Sequence, residues 1–201
     1  MKEFAVIGRP NSGKTLFVLN FAGFLGCKAT DITFRSSDGQ LYRRHYGLSE
    51  AKRELCSSVV HKTRVIQSLV LSVPVGKTGV QFTLSDTCGV SENIHNDQMV
   101  RQGMAQTLGL LRSVDFIIHI IDLSTVNEGH WQNQNSIDRE IYRYGIARSR
   151  YVLVANKIDL PAAKIHLTQL NTEFNQATVL PVSALTNEGF QAVKSYVVRN
   201  V

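Results

Sequence analysis

The sequence predicts an α/β fold in three layers: a mostly parallel six-stranded sheet with one antiparallel edge hairpin, and helices on both faces. Three observations carry this. Near-continuous apolar runs, such as residues 115–121 (DFIIHII), mark strands covered on both sides, as parallel strands are. Segments of helical periodicity fall between those runs, the alternation that gives right-handed crossovers. Residues 8–15, GRPNSGKT, match G-x-x-x-x-G-K-[ST], a phosphate-wrapping loop that requires a strand before it and a helix after it.

Residues 2–7 (KEFAVI) supply that strand and residues 16–24 the buried helix, with Gly26 as its stop signal. Residues 27–62 are long, polar and turn-rich, with seven Lys/Arg against four Asp/Glu. Within them, 31–36 and 41–46 can form strands around the turn Ser37-Asp38-Gly39-Gln40, and Ser49 can cap a short helix running to about Cys56. Residues 65–73 and 80–85 read as the antiparallel hairpin. An amphipathic helix over about 96–112 places Val100, Met104, Leu108 and Leu111 on one face. Strands at 115–121, 151–155 and 178–182 alternate with helices at 136–144, from Pro161, and around Phe190, Val193 and Val197. One domain over 1–201 accounts for everything except part of 27–62.

The 201 residues are enough for a full core. Lys and Arg number 22 against 16 Asp and Glu, a net charge of +6 that permits an RNA or anionic partner without a dense basic block to demand one. Cys27, Cys56 and Cys88 show no metal spacing and read as reduced thiols. No run approaches a membrane span, and a first strand starting at Lys2 leaves no room for a leader. The expectation is a cytoplasmic protein with no membrane span.

The chemistry lies at strand ends. In the loop, Asn11, Ser12 and Gly13 bring backbone N–H groups to a triphosphate, Lys14 reaches its β/γ oxygens, and Thr15 offers its hydroxyl to Mg²⁺. Asp86-Thr87-Cys88-Gly89 follows the strand ending at Ser85. There Asp86 can hold Mg²⁺ through water, and the Gly89 N–H can reach the γ-phosphate. Asn156-Lys157-Ile158-Asp159 follows the strand 151–155, and the Asp159 carboxylate can accept from N1–H and N2–H₂ of guanine, a donor pair adenine lacks. Asn156 would tie base to loop, the Lys157 stem would cover the ring, and Ser183-Ala184-Leu185 can give a backbone N–H to guanine O6. His119 sits in an apolar strand and reads as a satisfied core histidine.

In this order, GRPNSGKT, DTCG, NKID and SAL resemble the nucleotide-binding boxes of TRAFAC-class P-loop GTPases across essentially the whole chain, and are most similar to the Era/Der/TrmE group. The resemblance implies a P-loop NTPase G domain that binds GTP and GDP with Mg²⁺ and hydrolyses GTP slowly. It also implies a switch threonine before the second core strand. Thr63, 23 residues before Asp86, is the candidate to meet Mg²⁺ and the γ-phosphate, with Thr30 and Thr33 as more distant rivals. Residues 27–62 then look like an insertion in that switch. Val90 stands where Ras-like proteins carry the glutamine that orients water, so another group must do so. Asn11 resembles the asparagine that holds K⁺ in some of these GTPases, or is a hydrogen-bonded turn residue. Three outputs compete: a switch in assembly of an RNA or ribosomal particle, a regulator of a protein effector or membrane machinery through 27–62, and a small-molecule kinase, against which NKID argues. A nucleotide-dependent dimer is a further arrangement that a switch output permits.

Overall fold

Strand β1 (Lys2–Gly8) lies at the centre, and its alternation builds both halves of the core: Phe4 and Val6 face one side, Ala5 and Ile7 the other, all fully buried. The computed structural model describes residues 1–56, 63–128 and 136–201. Among these, eight strands form one sheet in the order β3-β2-β4-β5-β1-β6-β7-β8. Strands β5 (Thr78–Asp86), β6 (Phe116–Asp122), β7 (Tyr151–Asn156) and β8 (Val179–Val182) run parallel with β1. Strands β2 (Ala29–Arg35), β3 (Leu41–Gly47) and β4 (Ile66–Val75) extend the sheet through antiparallel pairings.

Helices α1 (Lys14–Phe24), α2 (Leu48–Leu55) and α6 (Phe190–Asn200) cover one face, where Phe17 and Phe21 each meet the Phe190 ring edge-on at 5.5 and 5.6 Å. Each such buried ring contributes about 1.5–3 kcal/mol through area removed from water. Helices α3 (Gln98–Leu110), α4 (Ile137–Ala147) and α5 (Ala163–Glu173) cover the other, with Ile117, Ile121, Ile141, Leu170 and Phe174. Gly26 ends α1 at φ 98°, and Ser136 caps α4 by accepting from the Arg139 N–H.

Three expectations change. The sheet has eight strands rather than six, because the hairpin of β2 and β3 joins it: Ile32 and Phe34 alternate inward and pair β2 with β4. The antiparallel portion is therefore three pairings, not the single 65–85 hairpin. The inner face of α3 is Val100, Gly103, Thr107 and Leu110, while Leu108 is 45% exposed. Gly103 explains this, since a Cβ there would stand 3.2 Å from Cys88 Sγ and 2.7 Å from the Arg64 carbonyl oxygen. Close approach, not apolar count, sets that helix's rotation. Part of the 27–62 segment, residues 57–62, lies outside the described residues.

Candidate nucleotide site

The carboxyl ends of β1, β5, β6, β7 and β8 share one rim of the sheet, delivering Gly8, Asp86, Asp122, Asn156 and Val182 to it. Ligands of open α/β sheets bind at such a rim. Residues 8–15 link β1 to α1, whose first turn aims its N–H groups and positive dipole end into the loop. Gly13 adopts φ 93°, and a Cβ there would fall 2.4 Å from Asn156 Nδ2, so only glycine fits. Asn11 sits at φ 59°, a left-handed conformation that asparagine tolerates.

Lys14 is 6% exposed and lies against the loop's own backbone, donating to the Gly8 and Arg9 carbonyls at 3.2 and 2.7 Å. Burial lowers its pKa, with Asp86 opposing. The Thr15 hydroxyl donates to Asp86 Oδ2 at 2.6 Å and lies 3.1 Å from Thr63 Oγ1. Thr63 is thus brought to the loop, whereas Thr30 and Thr33 stay on β2. Burial raises the Asp86 carboxyl to about 6, against the Thr15 hydrogen bond and the Lys14 charge.

Two polar atoms in this cluster, Asp86 Oδ1 and Ser12 Oγ, are buried without a hydrogen-bond partner among the described residues. Such orphans cost about 1–3 kcal/mol each unless something satisfies them. A hydroxyl pair with one carboxylate is a hard, all-oxygen donor set of the kind Mg²⁺ takes alongside phosphate oxygens and water. The residues fit that ion, and a cation at Asp86 would favour its carboxylate against the burial that raises it.

Gly89 packs so close to the loop that a Cβ would stand 2.6 Å from Pro10 N. The Val90 side chain is fully buried in the core, and its N–H donates to the Gly8 carbonyl at 3.2 Å.

Asn156 holds the other end. Its Nδ2 donates to the Ser12 carbonyl at 2.8 Å, and its Oδ1 accepts from the Ala184 N–H at 2.9 Å. The expected tie from Asn156 to the loop is there. Of the backbone N–H groups in 183–185, from which a donor to guanine O6 is expected, that of Ala184 is given to Asn156. Ser183 is buried and its hydroxyl accepts from the Thr186 N–H. Lys157, at φ 71°, pairs with Asp122 Oδ2 at 2.5 Å. Asp159 stands exposed at the lip with no hydrogen bond or ion pair among the described residues.

Sequence reasoning missed several of these partners. Asn20, buried in α1, donates through Nδ2 to the Ala184 carbonyl at 2.6 Å, so the Ala184 peptide is gripped on both sides by asparagine side chains. Its signal was one polar residue inside an apolar helix. Replacing Asn20 with Leu should loosen this grip and weaken guanine-nucleotide affinity by about tenfold, the worth of one buried hydrogen bond left half unmade. Fluorescent-nucleotide titration reads it; unchanged affinity would show the loop is held without Asn20.

Arg9, inside the phosphate loop, pairs with Glu92 and donates through Nε to Asp138 Oδ2 at 2.6 Å. Asp138 Oδ1 lies 3.0 Å from His119 Nε2, and His119 Nδ1 lies 2.7 Å from the Tyr151 hydroxyl. His119 is therefore the satisfied core histidine expected. Burial would raise the Asp138 carboxyl, but His119 and Arg9 hold it below the ordinary carboxylate range. Removing one partner of so buried a set leaves charge uncompensated. The variant Asp138→Ala should lose about 3–5 kcal/mol of unfolding free energy in a urea titration, and a loss under 1 kcal/mol would count against the network's role.

Among the described residues no helix is long and apolar enough to cross a membrane. A family model described as 50S ribosome-binding GTPase matches residues 3–157. The chain is 28% identical over 139 residues to GTPase Obg of Anoxybacillus flavithermus, covering 65% of this chain and 30% of that protein. It is 27% identical over 112 residues to mitochondrial ribosome-associated GTPase 2 of Homo sapiens, covering 56% of this chain and 27% of that protein. The chain thus spans under a third of these curated relatives. Among solved structures, a variant of Aquifex aeolicus Era bound to GDP·AlF4⁻ superposes with a TM-score of 0.69 at 21% identity, covering 100% of this chain and 57% of that one. Era in complex with MgGDPNP and part of 16S ribosomal RNA gives 0.67 at 20% identity, with 99% and 56% covered. Likenesses at this identity establish the fold.

Proposed function

The chain belongs to the family of 50S ribosome-binding GTPases, and on that premise we propose that it binds Mg²⁺·GTP at the loop 8–15 and hydrolyses it slowly to GDP and phosphate as a conformational switch. The observation that carries this reading is the convergence of Thr15, Thr63 and Asp86 beside the Lys14 ammonium, with Asn156 joining that cluster to the 183–185 loop. Lys14 leaves the Gly8 and Arg9 carbonyls to grip β- and γ-phosphate oxygens. The N–H groups from Asn11 to Thr15 surround the same oxygens, and the Gly89 N–H meets the γ-phosphate. Such fixed donors, aimed where charge develops during transfer to water, carry most of the rate in this chemistry. Thr15 and Thr63 would hold Mg²⁺ through their hydroxyls and Asp86 through its carboxylate, and the ion would supply charge that neutralises the phosphates.

Asp159 reads guanine, and the Lys157 stem covers the ring with its ammonium anchored on Asp122. The O6 donor is the Ala184 amide on release from Asn156, or the next N–H along the loop. Because Thr63 and Gly89 lie on the segments flanking β4 and β5, loss of the γ-phosphate frees both, and the output is their changed position. The partner we infer is a ribosomal or other RNA–protein particle in the cytoplasm. The basic charge and the family support this partner.

With Val90 buried, positive charge from K⁺ held by Asn11 can replace a water-orienting glutamine or an arginine finger. Phosphate release measured in KCl and in NaCl tests this. Several-fold faster turnover in K⁺ is expected, and equal rates would remove K⁺ from the account. Capture of ribosomal particles by the GTP-loaded protein and not the GDP-loaded one tests the switch; equal capture by both forms would contradict it.

A further inference from the structure

Strand β3 is the open edge of the sheet, and its residues Leu41, Tyr42, Arg43, Arg44 and His45 are all exposed. It carries no acidic residue. Laying two such edges together antiparallel would bring Arg43 and Arg44 of both copies side by side, so like charge opposes self-pairing. What suits this edge is an anion.

Two further features narrow its kind. The Tyr42 ring is 51% exposed and lies flat on buried Phe34, with centroids 4.8 Å apart and planes within 4°. One face is propped from behind and the other is open, a stacking platform held rigid by the core. Arg44, two residues along the same face, lies 4.8 Å over the Tyr46 ring, leaving a second planar group about 7 Å along the strand. On the opposite face, Arg35 and Arg43 are diagonal neighbours across the β2–β3 register, and neither has an acidic partner among the described residues. Of the nearby acids, Asp31 pairs with His45, Glu54 with Arg44 and the Tyr46 hydroxyl, and Asp38 accepts from the Ser36 hydroxyl and the Gln40 N–H, while Glu50 lies exposed in the first turn of α2. Lys52 and Arg53 in the last turn of α2 add two more cations without an ion pair among the described residues.

An open aromatic face at the sheet edge, with the cations of α2 on its own side and Arg35 and Arg43 round the edge on the other, suits single-stranded nucleic acid: phosphates meet the basic side chains along the edge and a base stacks on the ring. We propose that the β2–β3 hairpin with α2 is a docking surface for single-stranded RNA. This deepens the RNA-particle reading above and rests on it. The surface is four strands away from β1 in the sheet, about 19 Å at the usual spacing, so changing it leaves the phosphate loop untouched.

The test uses the full chain, a fluorescein-labelled uridine oligonucleotide of about 12 residues, and anisotropy between about 50 and 200 mM KCl. Saturable binding that weakens with salt is expected. Tyr42→Ala and Arg43→Glu should each weaken it about tenfold, with Arg43→Glu also flattening the log–log salt slope by about one. Affinity for a fluorescent GTP analogue should stay unchanged in both, which shows the variants are folded. RNA binding that neither variant alters would overturn this surface while leaving the RNA partner in place. No saturable RNA binding, with GTP still hydrolysed, would overturn both the surface and the RNA partner but not the GTPase. Equal affinity for a poly-glutamate peptide, indifferent to Tyr42→Ala, would assign the edge to a protein strand and overturn the proposal.

Discussion

Replacing Asp159 with Asn should lower affinity for GTP by about 10³-fold and transfer preference to xanthosine triphosphate. A site built to pair with a donor rejects a ligand that leaves its polar groups unmatched, by factors of about 10⁴ or more in favourable cases. Asp159 lies exposed at the rim, with no partner among the described residues to compensate its loss. The carboxylate would accept from both N1–H and N2–H₂ of guanine. An amide in its place faces N2–H₂ with its own NH₂, a donor against a donor, whereas the C2 carbonyl of xanthine accepts from it. Fold and loop stay intact, because Asn156, Ser12 and Ala184 hold one another without Asp159. Competition titration of both nucleotides against a fluorescent analogue reads the switch. Undiminished GTP affinity in the variant would mean that the base lies elsewhere, and would revive a small-molecule kinase.

The variant Lys14→Met should reduce GTP hydrolysis by about 10²–10³-fold, the loss seen when one preorganised donor to a developing charge is removed. Methionine keeps much of the stem volume in a position only 6% exposed, so packing is largely preserved. What disappears is the ammonium now held by the Gly8 and Arg9 carbonyls at 3.2 and 2.7 Å. Nucleotide affinity should fall as well, since the same group meets the ground-state phosphates. Burial depresses the Lys14 pKa without a ligand, and a triphosphate beside it would oppose that shift by favouring the ammonium. Single-turnover phosphate release at saturating nucleotide separates chemistry from affinity. A variant hydrolysing at the wild-type rate once saturated would confine Lys14 to binding.

Much of the fold and of the candidate site was legible because a phosphate-loop motif restricts residue type at fixed places. Gly13 needs a positive φ and room for Asn156, Thr15 and Asp86 need hydroxyl and carboxylate, and each follows a strand whose apolar run is unmistakable. Thr63 was legible only through its place before β4, since nothing local distinguishes it from Thr30 or Thr33. What stayed hidden depends on which distant segments approach. Asn20 meets Ala184 across 164 positions, and Arg9 meets Asp138 across 129. A polar residue in an apolar helix or beside a loop announces that it needs a partner, not which one. The rotation of α3 was hidden for a related reason: periodicity counts Leu108 as core, while Gly103 lets the helix approach Cys88 on another face. The hairpin of β2 and β3 was visible as strands, but its joining the sheet edge rests on pairing with β4 that no turn signal encodes.

The most direct test of the central claim is phosphate release from GTP by the purified chain, measured with Mg²⁺, with EDTA, and with ATP in place of GTP, against Lys14→Met as background. Slow release from GTP that vanishes in EDTA, with ATP at background, is the predicted result. Release from GTP no faster than the Lys14→Met background, or equal release from ATP, would contradict it.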